Sequence, residues 1–205
     1  DYEAHMALPY VGQSQLLGEL LEQAAAQHAA RSVAVLGCAG GNGFERLPAS
    51  VERIVGVDLN PDYVATARER HGRRFGPGRL ELLVGDVQTE ALPFEPVDLI
   101  FAALLFEYVD VAATLANAHR RLRTGGALVA VLQLPAEAAE VTPSPYASLE
   151  ALSPVMRLVP PSGLRSAAEE AGFRFADERT AEASGGKRFR ILHFLAEESP
   201  HARAP

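Results

Sequence analysis

Five short, nearly continuous apolar runs constrain this chain more than any other feature. They are SVAVLG (32–37), RIVGVD (53–58), LELLVGD (80–86), VDLIFAA (97–103) and ALVAVLQL (127–134). Runs of this length without polar alternation are what parallel strands covered on both faces require. Helical patterns fill the gaps between them. Asn60 before Pro61 supplies an N-cap and a first helical residue, and that helix should run to about His71. A second should cover roughly Val111 to Leu122 and stop at Gly125-Gly126. A further helix, about Gln13 to His28, precedes the first strand. Alternation of this kind predicts an α/β fold, a doubly wound parallel sheet with helices on both faces.

The last third reads differently. PAEAAEVTPSPYASLEALSPVMRLVPPSG (135–163) is interrupted by prolines, and a helix from Ser162 to Ala171 ends at Gly172. FRFADERTAEA (173–183) and KRFRILHFLAE (187–197) follow as strands, with EASGGK as the hairpin turn between them. The sheet should therefore gain two final strands, one of them antiparallel. With 205 residues, 48% of them hydrophobic, the chain can bury one sizeable core. We expect one globular domain, in which residues 1–30 form a helical lid segment and 31–205 the sheet domain.

Composition also excludes partners. The net charge of −7 gives no basic footprint for nucleic acid. The densest basic run, RERHGRR (68–74), reads as a solvated helix end. Lys187 is the only lysine, and Cys38 the only cysteine. A disulfide framework and a cysteine zinc site are ruled out, and a reducing cytoplasm fits. No run approaches the length of a membrane span. No secretory leader is expected at the start, although the first residue is Asp1 rather than Met. The sequence does not set an oligomeric state.

The first strand runs into CAGGNG (38–43). A strand that ends in glycines brings backbone N–H groups close to a ligand that accepts hydrogen bonds. The second strand ends at Asp58, about twenty residues on, where a carboxylate can accept from two ribose hydroxyls. The third ends in Gly85-Asp86-Val87, where Asp86 can accept from an adenine amine while the Val87 backbone meets a ring nitrogen. Successive strand ends share one rim of a parallel sheet, the rim where such sheets bind ligands. Together these residues point to a cofactor that contains adenosine.

The order and spacing resemble the class I S-adenosylmethionine-dependent methyltransferases, over about residues 30 to 196. VLGCAGGNG is similar to that family's first motif and VGVDLNPDYVATARER to its second strand and helix. GDVQTEALPFEPVDLIFAALLFEYVD resembles the third and fourth strands, and LRTGGALVAVLQLP the fifth. The resemblance implies a Rossmann-like, seven-stranded, mostly parallel sheet whose last strand is antiparallel. It implies S-adenosylmethionine as cofactor and a small-molecule methyl acceptor. Gly37, Cys38, Ala39 and Gly41 would line the methionine portion. Asp58 and Leu59 would hold the ribose and flank the adenine, and Asp86 and Val87 would address the adenine. Ala102 and Ala103 would approach the sulfonium. The chain departs from the family in two places. Val35 stands where an acidic residue is frequent. Ala39 stands where glycine is frequent, and alanine fits there if its φ is negative.

Methyl transfer from a sulfonium needs alignment more than covalent help, and a base only if the nucleophile arrives protonated. Glu107 and Tyr108, just after the fourth strand, are the candidates for substrate contact or proton acceptance. His5, in the N-terminal lid segment, is a third. No metal site is expected. The Pro-Pro-aromatic motif of base-amine methyltransferases is absent, since AALLF occupies that place. Two other functions compete. A nicotinamide oxidoreductase of the short-chain type needs a tyrosine with a lysine four residues on, and no tyrosine here has one. A non-catalytic cofactor-binding or partner subunit would share the fold.

Overall fold

The computed structural model describes residues 13–76, 78–89, 91–135, 157–184 and 186–197. Helix α1 (Gln13–Gln27) leads into strand β1 (Ser32–Leu36) and then β2 (Arg53–Asp58). Helix α2 (Pro61–Phe75), β3 (Leu80–Val84), β4 (Val97–Ala103), α3 (Val111–Arg120) and β5 (Leu122–Gln133) follow. The described chain ends with α4 (Pro161–Glu170), β6 (Phe173–Glu182) and β7 (Arg188–Ala196). All seven strands form one sheet in the order β3-β2-β1-β4-β5-β7-β6. Strands β1 to β5 pair in parallel, and β7 runs antiparallel to both β5 and β6. This is the doubly wound, mostly parallel sheet that the apolar runs predict, with the last strand reversed.

Alternate residues of each strand serve opposite faces. Val33 and Val35 of β1 pack on one side with Leu20, Leu21, Ala24 and Ala25 of α1. Ala34 and Leu36 pack on the other with Leu115 and Ala118 of α3 and Leu164 and Ala168 of α4. Helix α1 is thus part of the main core. Helix α2 starts as expected, with Asn60 Oδ1 accepting from Asp62 N at 2.9 Å and Pro61 in the first turn. Asp110 caps α3 in the same way, its Oδ1 accepting from Ala113 N at 2.8 Å.

Three boundaries differ from the sequence reading: α2 runs to Phe75 rather than about His71, α3 ends at Arg120 so that Gly125-Gly126 lie inside β5, and β5 starts early. Strand β5 begins at Leu122 rather than Ala127, because Leu122 pairs with Val97 before a register shift brings Leu99 opposite Ala127. The link from β1 to β2 contains a 3-10 turn, Phe44–Arg46, and no full helix. Leu47, which ends the turn, is extended (φ −56, ψ 133) and precedes Pro48, a position that disfavours helix.

Arginines hold this irregular link. Arg74 Nη2 donates to Glu45 O at 2.9 Å. Arg70 and Arg79 reach Gly40 O and Pro48 O at 3.5 Å. The RERHGRR run is therefore more than a solvated helix end. It supplies donors to carbonyls that an α-helix would have satisfied internally. Among the described residues, no helix is long and apolar enough to cross a membrane.

Candidate functional site

Strand β1 has β2 on one side and β4 on the other, so the chain leaves the sheet in opposite directions around it. At such a switch point a crevice opens beyond the carboxyl ends of the strands. A cleft of about 440 Å³ lies there. Gly37, Ala39, Asp58, Leu59, Asp86, Val87, Ala103 and Tyr108 all line it, as the sequence suggested. A smaller cavity of about 60 Å³ adjoins it at Gly37, Ala39 and Ala103, and Cys38 lines that one.

The glycine loop differs from the outward-facing cradle expected from sequence. Gly37 N and Cys38 N both donate to Val57 O, at 2.9 and 3.0 Å. Ala39 N donates to Asp58 Oδ2 at 2.9 Å, and Gly41 N to Cys38 O at 2.9 Å. These four N–H groups are satisfied inside the protein. Phosphate binding of the dinucleotide type needs free N–H groups at a helix N-terminus. Here a 3-10 turn of three residues follows instead. The loop has the shape of a seat and lacks the donors of a phosphate cradle.

Asp58 organises this seat. Oδ2 accepts from Ala39 N, while Oδ1 accepts from Asn60 N at 2.9 Å. A carboxylate has about four acceptor sites, and these two backbone bonds fix its orientation. The same hydrogen bond fixes Ala39 at φ +45. The condition of a negative φ, under which alanine fits without strain, is not met: the backbone is left-handed, which explains why glycine suits the position. Leu104, also lining the cleft, has φ +53. A bulky residue in that region signals strain held by its surroundings, and Leu104 N is pinned to Val131 O at 2.9 Å.

Asp86 Oδ1 accepts from Gln88 N at 3.0 Å, and this bond holds its pKa below the ordinary carboxylate value. Gln88 Oε1 in turn accepts from Asp110 N at 2.8 Å, which ties the segment after β3 to the one before α3. Asn117 Nδ2 donates to Val87 O at 2.8 Å and fixes the backbone beside Asp86. Leu59 is 67% exposed at the cleft, an apolar surface for a flat ring to cover.

Several residues expected at the site lie elsewhere. Ala102 is fully buried in the sheet core, away from the cleft. Gly41 is buried under His71 and lines neither cavity; a Cβ on it would lie 2.8 Å from His71 Cδ2. Glu107 is only 2% exposed; it lines not this cleft but a neighbouring cavity of about 770 Å³, which shares Gln88, Tyr108 and Val109 with it. Its Oε1 accepts from Gln133 N at 2.8 Å, where β5 has outrun β4, so it serves as a strand cap. Burial raises its pKa to about 7. Tyr108, by contrast, is half-buried at the cleft wall, and desolvation, reinforced by Glu107, raises its phenol pKa. It is a neutral donor at neutral pH. His5 lies outside the described residues, and so does the proline-rich TPSPY segment. Sequence reasoning missed Asn60, Tyr63, Gln88, Leu104, Leu105 and Val109, which also line the cleft. Adjacency to the named strand ends was the available signal for all of them. Among the described residues there is no group of three or more His, Cys, Asp or Glu able to hold a metal ion.

Residues 34–130 match the family model described as "Methyltransferase domain". The match covers just under half of the chain's 205 residues. Solved structures share the fold over nearly the whole length. N-methyltransferase NodS from Bradyrhizobium japonicum WM9, in complex with S-adenosyl-L-homocysteine, is 16% identical with a TM-score of 0.68. That match covers 96% of each chain. Magnesium protoporphyrin IX methyltransferase from Synechocystis PCC 6803, with bound S-adenosylmethionine, is 13% identical with a TM-score of 0.67. The match covers 91% of this chain and 81% of that one. The [4+2]-cyclase SpnF is 15% identical with a TM-score of 0.70, over 91% of this chain and 82% of SpnF. A search among curated proteins returned no match.

Proposed function

We propose that the chain is an S-adenosylmethionine-dependent methyltransferase acting on a small molecule. One observation carries this reading: a single cleft gathers Asp58, Asp86 and the glycine loop, while the N–H groups of Gly37, Cys38, Ala39 and Gly41 are bonded within the protein. The cleft therefore offers acceptors for hydroxyls and an amine, which adenosine has, and lacks a phosphate seat. When bound, the cofactor supplies an electrophilic methyl group on a sulfonium.

The chain's residues position and shield. Asp58 accepts from the ribose hydroxyls, and its two backbone bonds keep the carboxylate aimed. Asp86, held ionised, accepts from the adenine amine. Leu59 and Val87 flank the ring. Ala103, Leu104 and Leu105 form the wall next to the sulfonium, where the small side chain of Ala103 leaves room for the acceptor to approach. Tyr108 is the candidate to touch substrate, as a donor. The net charge and the AALLF sequence at the end of β4 favour a small acceptor over nucleic acid. The lone cysteine favours the cytoplasm.

A second reading, a binding protein without transferase activity, draws support from Val35 and the strained Ala39. The cofactor site common to both readings is tested by the Asp58→Ala variant, titrated calorimetrically with S-adenosylhomocysteine. Affinity should fall at least tenfold while circular dichroism shows the fold retained. An unchanged affinity would contradict the assignment of Asp58. Transfer of the methyl to no acceptor in a broad small-molecule screen, with binding intact, would favour the second reading.

A further inference from the structure

The small cavity beside the cleft raises a question that the cofactor assignment leaves open. It is walled by Leu17, Leu21, Val35, Cys38 and Phe101, with Ser14 and Asn42 as its polar side chains. Among the described residues no ionisable side chain other than the Cys38 thiol lines it. Yet this is where a cofactor with its adenosine at Asp58 and Asp86 would place its zwitterionic amino-acid end, because the cavity joins the cleft at Gly37, Ala39 and Ala103.

Two polar groups at the start of α1 are left over. Ser14 Oγ is shielded from solvent and has no hydrogen-bond partner among the described residues. Its neighbour Gln13 is 3% exposed, and the amide Nε2 has no partner among them either. Buried polar atoms are rarely left unpaired, and each exception asks for an explanation. Helix geometry places Ser14 at the cavity. Ser14, Leu17, Gly18 and Leu21 lie on one helical stripe. Gly18 packs so closely on the loop that a Cβ on Gly43 would lie 2.8 Å from Gly18 Cα. That contact leaves Ser14, one turn earlier, facing Ala39 and Asn42 across the cavity.

We propose that Ser14 Oγ, facing the Asn42 amide across the cavity, holds the carboxylate of the cofactor's amino-acid end. These neutral donors take the place of a charged grip, and Val35 leaves the ammonium without a counter-charge in β1. The proposal rests on the cofactor reading above and adds the residues that recognise the tail.

Two ligands separate the proposal from that reading: S-adenosylhomocysteine, and 5′-methylthioadenosine, which lacks the amino-acid end. Calorimetric titration of the full chain should show Ser14→Ala weakening S-adenosylhomocysteine at least fivefold. The variant should leave 5′-methylthioadenosine within twofold of wild type, which also reports an intact fold. Ser14→Thr keeps the hydroxyl and should retain most of the affinity. Equal losses for both ligands, or no loss for either, would overturn the assignment while the cofactor reading stands. Failure of the wild-type chain to bind either ligand would overturn both.

Discussion

Ala39 concentrates the conflict between local chemistry and the site. An alanine in the left-handed region costs roughly 1–2 kcal/mol, and it persists because Ala39 N is bonded to Asp58. Ala39→Gly relieves this strain but adds freedom to the unfolded chain, which offsets roughly 0.5–1 kcal/mol. We predict a net gain of about 0.5 kcal/mol in urea denaturation; a loss of that size would show that the backbone is unstrained. Glu107 gives a prediction with a definite sign. Its folded pKa of about 7 lies above the ordinary 4.5. As pH rises from 4.5 the unfolded chain ionises first, so stability falls until pH 7 and then levels off. Glu107→Gln keeps an acceptor for Gln133 N and should flatten that slope. At about pH 8, above the folded pKa, the variant should match or exceed wild type. A large loss there would mean that the ionised form is favoured. Asp58 and Asp86 could be placed at the cleft from sequence because the strand tips of a parallel sheet face it. Glu107 could not, because nothing local says whether a side chain after β4 turns to the cleft or back to the Gln133 amide.

At the scale of elements, the strands were legible because continuous apolar runs and a capped Asn60-Pro61 leave few alternatives. The β1–β2 link was not legible, because its support comes from arginines about thirty residues away on α2. Helix α1 is held at both ends. Near its start, Gly18 and Gly43 meet backbone to backbone, and Gly43 has φ +88. Gly43→Ala combines left-handed strain with overpacking and should cost more than about 2 kcal/mol. A calorimetric melt that leaves the midpoint unchanged would refute the tight docking. Just past its end, His28 Nε2 lies 3.0 Å from His193 Nδ1 of β7. His193 is 1% exposed, and burial, then the neighbouring His28, lowers its pKa to about 4. The unfolded chain therefore takes up the proton first as pH falls from the ordinary value of 6.5. Stability should decline between pH 6.5 and 4 and change little below. His193→Leu should remove much of this acid sensitivity, and an equal slope in both proteins would refute it.

For the whole molecule, fold and chemistry are separate questions. The same architecture serves two methyltransferases and a [4+2]-cyclase among the matched structures, so the sheet order alone names no reaction. What distinguishes this chain is its site. Its acceptors suit adenosine, the amides of Gly37, Cys38, Ala39 and Gly41 are bonded within the protein, and a small cavity with neutral donors sits where the amino-acid end would lie. The most direct test is a calorimetric titration of the wild-type chain with S-adenosylhomocysteine and, separately, NADH. The account predicts saturable one-site binding of S-adenosylhomocysteine and no heat from NADH at millimolar concentration. Binding of NADH with none of S-adenosylhomocysteine would contradict it.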